Sequence, residues 1–179
     1  MLQIYTGNGK GKTTCAVGLS VRALGAGMKV ALVQFDKGYD GNNEHYHERH
    51  VLRKLPGIDL FPTGLERMNP DGSFRFGVTE GDLREARRGL ELSSQAIESA
   101  RYHVVILDEI LSARSYHLIE EKEVLAVLDL YRSHPEIELV LTGRGLTGEI
   151  EKRADLITEF RPVRHYFDRG LPARKGIEF

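Results

Sequence analysis

The residues best placed to do chemistry come first in the chain. Thr6-Gly7-Asn8-Gly9-Lys10-Gly11-Lys12-Thr13-Thr14 follows the apolar run Leu2 to Thr6 and precedes a helical pattern. A strand, a glycine-rich turn and a helix in that order form the context of a phosphate-binding loop. Glycines let successive backbone N–H groups point into one concave nest without Cβ clashes. The helix that follows adds unpaired N–H donors and a partial positive charge. Lys12 supplies a point charge for phosphate oxygens, and the Thr13 hydroxyl is a ligand for Mg²⁺. The strict pattern wants Gly where this chain has Thr6, and a ligand-free glycine turn is the plain alternative.

The second signal is Val104-Val105-Ile106-Leu107-Asp108-Glu109. Apolar residues ending in acids resemble a Walker B strand, and ligands in such sheets bind at the strands' carboxyl ends. Asp108 or Glu109 is then the partner of Thr13 on Mg²⁺, directly or through water; solvated acids are the alternative. Thr142-Gly143-Arg144-Gly145 ends another apolar strand. Arg144 is a phosphate ligand or a surface arginine in a turn. His45, His47 and His50 form an H-x-H-x-x-H cluster, but positions 45 and 47 do not face each other on a helix. Histidine is a common metal ligand, so a metal site is the lesser reading, and a solvated helix or loop face is expected there. Phe74 and Phe76, two apart in a long loop, either anchor it to the core or line a cleft.

These residues need a scaffold. Short apolar runs alternate with longer helical patterns, which predicts an α/β fold with a mainly parallel sheet. Strands are expected at 2–6, 29–35, 58–61, 102–107, 138–142 and 156–160. Helices are expected at 12–26, 44–55, 79–100, 111–133 with a break near Leu118, and 148–154. The stretch from Pro62 to Thr79 is irregular and long, and such loops inside compact domains are usually functional.

With 179 residues the chain fits one domain, 1–179. It is 41% hydrophobic and 28% charged, in the range of ordinary globular proteins that bury a core unaided. The formal net charge is −1, which argues against a basic nucleic-acid module. A single cysteine, Cys15, excludes an internal disulfide framework and favours a reducing compartment. No signal peptide and no apolar run of about 18–20 residues is present, so a cytoplasmic protein with no membrane partner is expected.

Taken together, the motifs resemble the P-loop ATP:corrinoid adenosyltransferases, also called cob(I)alamin or cob(I)yrinic acid a,c-diamide adenosyltransferases. The likeness rests on the loop, on Val33-Gln34-Phe35 with Lys37-Gly38, and on Leu107-Asp108-Glu109. It continues through Thr142-Gly143-Arg144-Gly145, Ala154 to Glu159, Val163-Arg164-His165 and the ending Lys175-Gly176-Ile177-Glu178-Phe179. Thr6 departs from the strict loop pattern as the family does.

The resemblance implies a RecA-like P-loop NTPase fold and a homodimer. It implies transfer of the 5′-deoxyadenosyl group of ATP to Co(I) of a corrinoid, with triphosphate released, in cobalamin biosynthesis or salvage. An electron-donating flavoprotein reductase is an implied partner. ATP is implied to lie reversed in the loop, presenting C5′ to the corrin. The match places ATP on Gly7, Asn8, Gly9, Lys10, Gly11, Lys12, Thr13 and Thr14, with Arg22 and Arg144 near the nucleotide. Mg²⁺ falls on Thr13, Asp108 and Glu109. The family's Phe-x-Trp pair, which covers the lower corrin face and expels the axial ligand, here reads Phe74-Arg75-Phe76. Lys12, Phe74 and Phe76 are thus the expected catalytic residues. Other readings of a phosphate loop are an ATPase or nucleotide switch and a small-molecule kinase; the reaction product distinguishes them.

Overall fold

The strands 30–34, 104–108 and 138–142 carry nearly unbroken apolar runs, as strands covered on both faces must. β1 (Leu2–Thr6), β2 (Val30–Gln34), β3 (Ile58–Pro62), β4 (Val104–Asp108), β5 (Glu138–Thr142) and β6 (Leu156–Glu159) form one sheet in the order β3-β2-β4-β5-β1-β6. Every pairing is parallel. The computed structural model describes residues 1–38, 44–67 and 75–179.

Side chains alternate across the sheet with the strand period of two. Val105 and Leu107 of β4, Ala31 and Val33 of β2, and Leu139 and Leu141 of β5 enter one core. Val104, Ile106, Val30, Leu32 and Val140 enter the other. α1 (Lys12–Gly25) and α2 (Glu48–Leu52) cover this second face. α3 (Glu80–Glu98), α4 (Ile110–Ser115) and α5 (Glu121–Tyr131) cover the first, and α6 (Gly148–Glu151) adds Ile150 to it. Each fully buried aliphatic side chain contributes about 1.5–3 kcal/mol.

The helix expected over 44–55 is confined to Glu48–Leu52. Glu44 lies outside it: its Oε1 accepts from the Tyr46 N–H at 3.1 Å and from Arg49 Nη1 at 3.0 Å. A carboxylate that closes a local turn competes with helix. The expected break near Leu118 falls between α4 and α5, where His117 is left-handed at φ 60°. α3 opens on a capping box, with Thr79 and Asp82 exchanging bonds.

Register is what positions the site. Gln34 pairs with Asp108, Leu107 with Leu141, and Tyr5 with Thr142. The carboxyl ends of β1, β2, β4 and β5 therefore meet on one edge. β5 lies between the phosphate-loop strand and the strand that ends in Asp108.

Candidate nucleotide site

The turn between β1 and α1 closes tightly on itself. Gly7 has φ 99° and Gly11 φ 120°, a region L side chains rarely adopt. Gly9 is required for a different reason. Its N–H donates to the Phe160 carbonyl at 2.7 Å, and a Cβ there would stand 2.8 Å from that carbonyl. The chain leaving β6 thus forms one wall of the loop. Lys12 Nζ donates to the carbonyls of Gly7 at 2.8 Å and Gly9 at 3.0 Å, which holds the ammonium within the turn. Burial pushes the Lys12 pKa down; Glu109 and Asp108 oppose that shift, while Arg144 and Lys37 add to it.

Asp108 is fully buried and has two partners on each oxygen. Oδ1 accepts from Thr13 Oγ1 at 3.0 Å and Thr142 Oγ1 at 2.7 Å. Oδ2 accepts from Lys37 Nζ at 2.6 Å and Gln34 Nε2 at 3.3 Å. That fills the acceptor capacity of a carboxylate. Burial by itself would raise the Asp108 pKa, but the Lys37 ammonium and these hydrogen bonds hold it below the usual value. Lys37 Nζ also donates to Thr13 Oγ1 at 2.9 Å. Behind the cluster, the fully buried Arg49 donates to Gln34 Oε1 at 2.6 Å and to the Lys37 carbonyl at 2.7 Å.

Glu109 is turned differently. It takes a left-handed conformation, φ 63°, at the start of α4. Such a residue costs about 1–3 kcal/mol and persists where its surroundings hold it. Its N–H donates to Thr142 Oγ1 at 2.8 Å, and the Ser112 hydroxyl donates to its Oε2. Ser112 Oγ also accepts from the Arg144 N–H at 2.9 Å, so the turn after β5 is tied to Glu109.

These groups border one cavity of about 460 Å³, lined by Thr13, Thr14, Lys37 and Glu109 on one side. Tyr46 and His47 form another wall, and Gly176 to Phe179 a third. Lys10 Nζ donates to the Ile177 carbonyl at 2.6 Å and lies 3.8 Å from Glu178. Asn8 is exposed beside it. Arg22 lies elsewhere, in the last turn of α1, about 15 Å along the helix from Lys12. Phe76 is 84% exposed, and Phe74 lies outside the described residues. Among the described residues no group of three or more His, Cys, Asp or Glu is spaced to hold a metal. His47 instead stacks edge-on to His50, with ring centres 5.6 Å apart.

The model of the family ATP:corrinoid adenosyltransferase BtuR/CobO/CobP matches residues 1–179. The chain belongs to that family. Its sequence is 34% identical to a corrinoid adenosyltransferase of Escherichia coli (strain K12) over 178 residues, 98% of this chain and 84% of that protein. It is 33% identical to corrinoid adenosyltransferase CobA of Salmonella typhimurium, again over 98% and 84%. A KaiC-like protein, PH0186, of Pyrococcus horikoshii OT3 superposes with a TM-score of 0.54 at 16% identity, covering 88% of this chain and 72% of that one. This likeness shows the fold, a RecA-like P-loop architecture. The family and the two adenosyltransferase relatives make ATP-dependent adenosylation of a corrinoid the activity of this chain.

Several residues gathered around this cavity carried no role in the sequence. Lys37, Gln34, Thr142, Ser112 and Arg49 are ordinary polar residues at strand ends or on a short helix. The fold brings Lys37, Gln34 and Thr142 to Asp108, Ser112 to Glu109, and Arg49 to Gln34 and the Lys37 carbonyl. Lys37-Gly38 and the Lys175–Phe179 ending marked the family without revealing where they sit. No helix among the described residues is long and apolar enough to cross a membrane.

Proposed function

We propose that this site carries out an in-line displacement at C5′ of ATP, with the phosphate loop holding the leaving group. The observation that carries the reading is the meeting of Thr13, Lys37 and Glu109 around one cavity directly beside Lys12. The electron pair of Co(I) forms the Co–C5′ bond. The C5′–O bond breaks and its pair departs on triphosphate. No proton moves in this step, so no general base is needed. Negative charge builds on the leaving phosphates, where preorganised donors stabilise a transition state most. Lys12, Lys10, Arg144 and the N–H groups of Gly7, Asn8 and Lys10 to Thr14 supply those donors, the Gly9 N–H being taken by the Phe160 carbonyl. The reversed placement of ATP lets the same loop that serves phosphoryl transfer elsewhere grip a leaving group here.

Mg²⁺ fits this donor set. Thr13 Oγ1 and Glu109 border the same cavity, and Mg²⁺ commonly takes one or two protein oxygens alongside substrate phosphates and water. Among the described residues Glu109 Oε1 has no hydrogen-bond partner, whereas all acceptor positions of Asp108 are taken. We therefore assign the ion to Thr13 and Glu109, with Asp108 orienting Thr13 and Lys37. The ion would neutralise charge on the departing phosphates.

On the corrinoid side, Phe74 and Phe76 pack on the lower face and favour loss of the axial ligand, which eases reduction of Co(II) by a flavoprotein. A homodimer is supported by apolar residues left exposed at the β6 end: Leu156, Ile157, Val163 and Phe167. A reducing cytoplasm agrees with a lone cysteine. Arg22, remote from the loop in one chain, has the weakest geometric support as a nucleotide ligand.

The test is product analysis with preformed Co(I) corrinoid and MgATP. Equal yields of triphosphate and adenosylated corrinoid are expected; ADP would overturn the reading. Lys12→Ala should lower both yields by at least about a hundredfold, the scale of losing a donor to a developing anion, while circular dichroism stays unchanged.

A further inference from the structure

The two carbonyls that flank Phe76 share one guanidinium. Arg67 Nη1 donates to the Gly77 carbonyl at 3.0 Å and reaches the Arg75 carbonyl at 3.5 Å. In return, the Arg75 N–H donates to the Arg67 carbonyl at 2.7 Å. Arg67 Nε donates to Asp36 Oδ1 at 2.7 Å, and its side chain is only 10% exposed. Asp36 is the residue before Lys37, whose ammonium meets Thr13 and Asp108. Asp36 is itself left-handed, φ 52°, so its carboxylate and the Lys37 side chain leave a constrained turn. The Arg75 flank is held a second time, because its side chain grips Asp82 with two bonds, 2.7 and 3.0 Å, at the start of α3.

We propose that Arg67 is a positioning residue that sets the Phe76 segment against the nucleotide side of the site, through Asp36 and Lys37. This rests on the corrinoid-facing role proposed for Phe76. A planar fork with five donors in fixed directions spans a carboxylate and two carbonyls at once. A single ammonium does not. The consequence is geometric coupling: the turn that aims Lys37 at the phosphates also fixes the aromatic that faces the corrin. Arg67 touches no reacting atom. It acts by holding Phe76 against the lower corrin face, where that contact favours loss of the axial ligand and eases reduction of Co(II), and misplacing a positioned group by about 1 Å costs up to about a hundredfold in the step it serves.

The experiment compares adenosylation from cob(II)alamin under a reducing system with adenosylation from preformed cob(I)alamin, and records the electron paramagnetic resonance of bound Co(II) with MgATP. Phe76→Ala calibrates the readout. Arg67→Ala should lower the Co(II)-to-Co(I) rate ratio about tenfold to a hundredfold. The four-coordinate Co(II) signal should fall with it, and the KM for ATP should stay unchanged. Arg67→Lys should not rescue. Asp36→Asn, which keeps the side-chain shape, should lower the ratio by less and speed exchange of the Arg75 amide, which donates to the Arg67 carbonyl. It provides the answer if Arg67→Ala does not fold. If Phe76→Ala lowers the ratio and neither Arg67→Ala nor Asp36→Asn does, the positioning role is wrong. Equal losses with Co(II) and Co(I) would reduce Arg67 to packing and also overturn it. If Phe76→Ala leaves the ratio intact, the aromatic reading itself falls and takes this inference with it.

Discussion

Two neighbouring acids at the end of β4 do different work. Asp108 is sealed by four donors, and Glu109 is rotated by its left-handed backbone toward the cavity. Charge is equal in the two side chains; surroundings separate them. Glu109→Gln keeps the shape and the Ser112 contact but removes the ionic oxygen proposed as the Mg²⁺ ligand. Its Mg²⁺ concentration for half-maximal activity should rise about tenfold or more, the usual loss when a hard cation forfeits a carboxylate, with corrinoid affinity unchanged. Titration of activity against Mg²⁺ checks this, and an unchanged midpoint would return the ion to Asp108 or to no side chain. Asp108→Asn should instead lower the melting temperature, since Lys37 would lose its buried counter-charge. The sequence showed both acids and the loop, but not which acid faces in, because one backbone angle decides it.

At the scale of elements, the carboxyl-terminal turn behaves as a wall of the site. Glu178 accepts from the Arg174 N–H at 2.6 Å and from its guanidinium, and Tyr166 also donates to it. Arg174 and Tyr166 pull the Glu178 carboxyl from its ordinary 4.5 down to about 2. A depressed carboxyl stabilises its turn fully above pH 4.5, and that hold is lost as pH falls from 4.5 through about 2. Near neutral pH, Glu178→Gln should loosen residues 174–179 and raise the KM for ATP about two- to fivefold, the modest scale of an exposed pair. Nuclear magnetic resonance of the tail should show the variant and the wild type converging toward pH 2. If they stay apart there, Glu178 does not hold the turn. This element was unreadable beforehand: it has no apolar period, and its partners Lys10 and Tyr166 lie 168 and 12 positions away from Glu178.

For the whole molecule, β6 is an edge strand whose four residues are all exposed, Leu156 and Ile157 among them. Edge strands with apolar exposure need a cover. The wild-type chain should sediment at twice its 20.2 kDa. Ile157→Asp should shift it toward the monomer without changing its circular dichroism. A monomeric wild type would leave the β6 face to another partner.

The sequence by itself determined the sheet class, the glycine-rich loop and the pair of acids at the end of β4. Those features are local: a glycine-rich turn between a strand and a helix, and apolar runs capped by Asp108 and by Thr142. It also placed most strand ends within two residues, because continuous apolar runs stop where polar turns begin. Tertiary structure alone decided the strand order β3-β2-β4-β5-β1-β6 and hence the company Asp108 keeps. Lys37, 71 positions from Asp108, and Gln34, 74 positions away, carry no local pattern that pairs them with it. The physical reason is that strand order follows from how crossover helices pack their apolar faces onto the sheet. That is a property of the folded whole, and it is this packing that turns a lysine after a strand into a cation aimed at the phosphate loop.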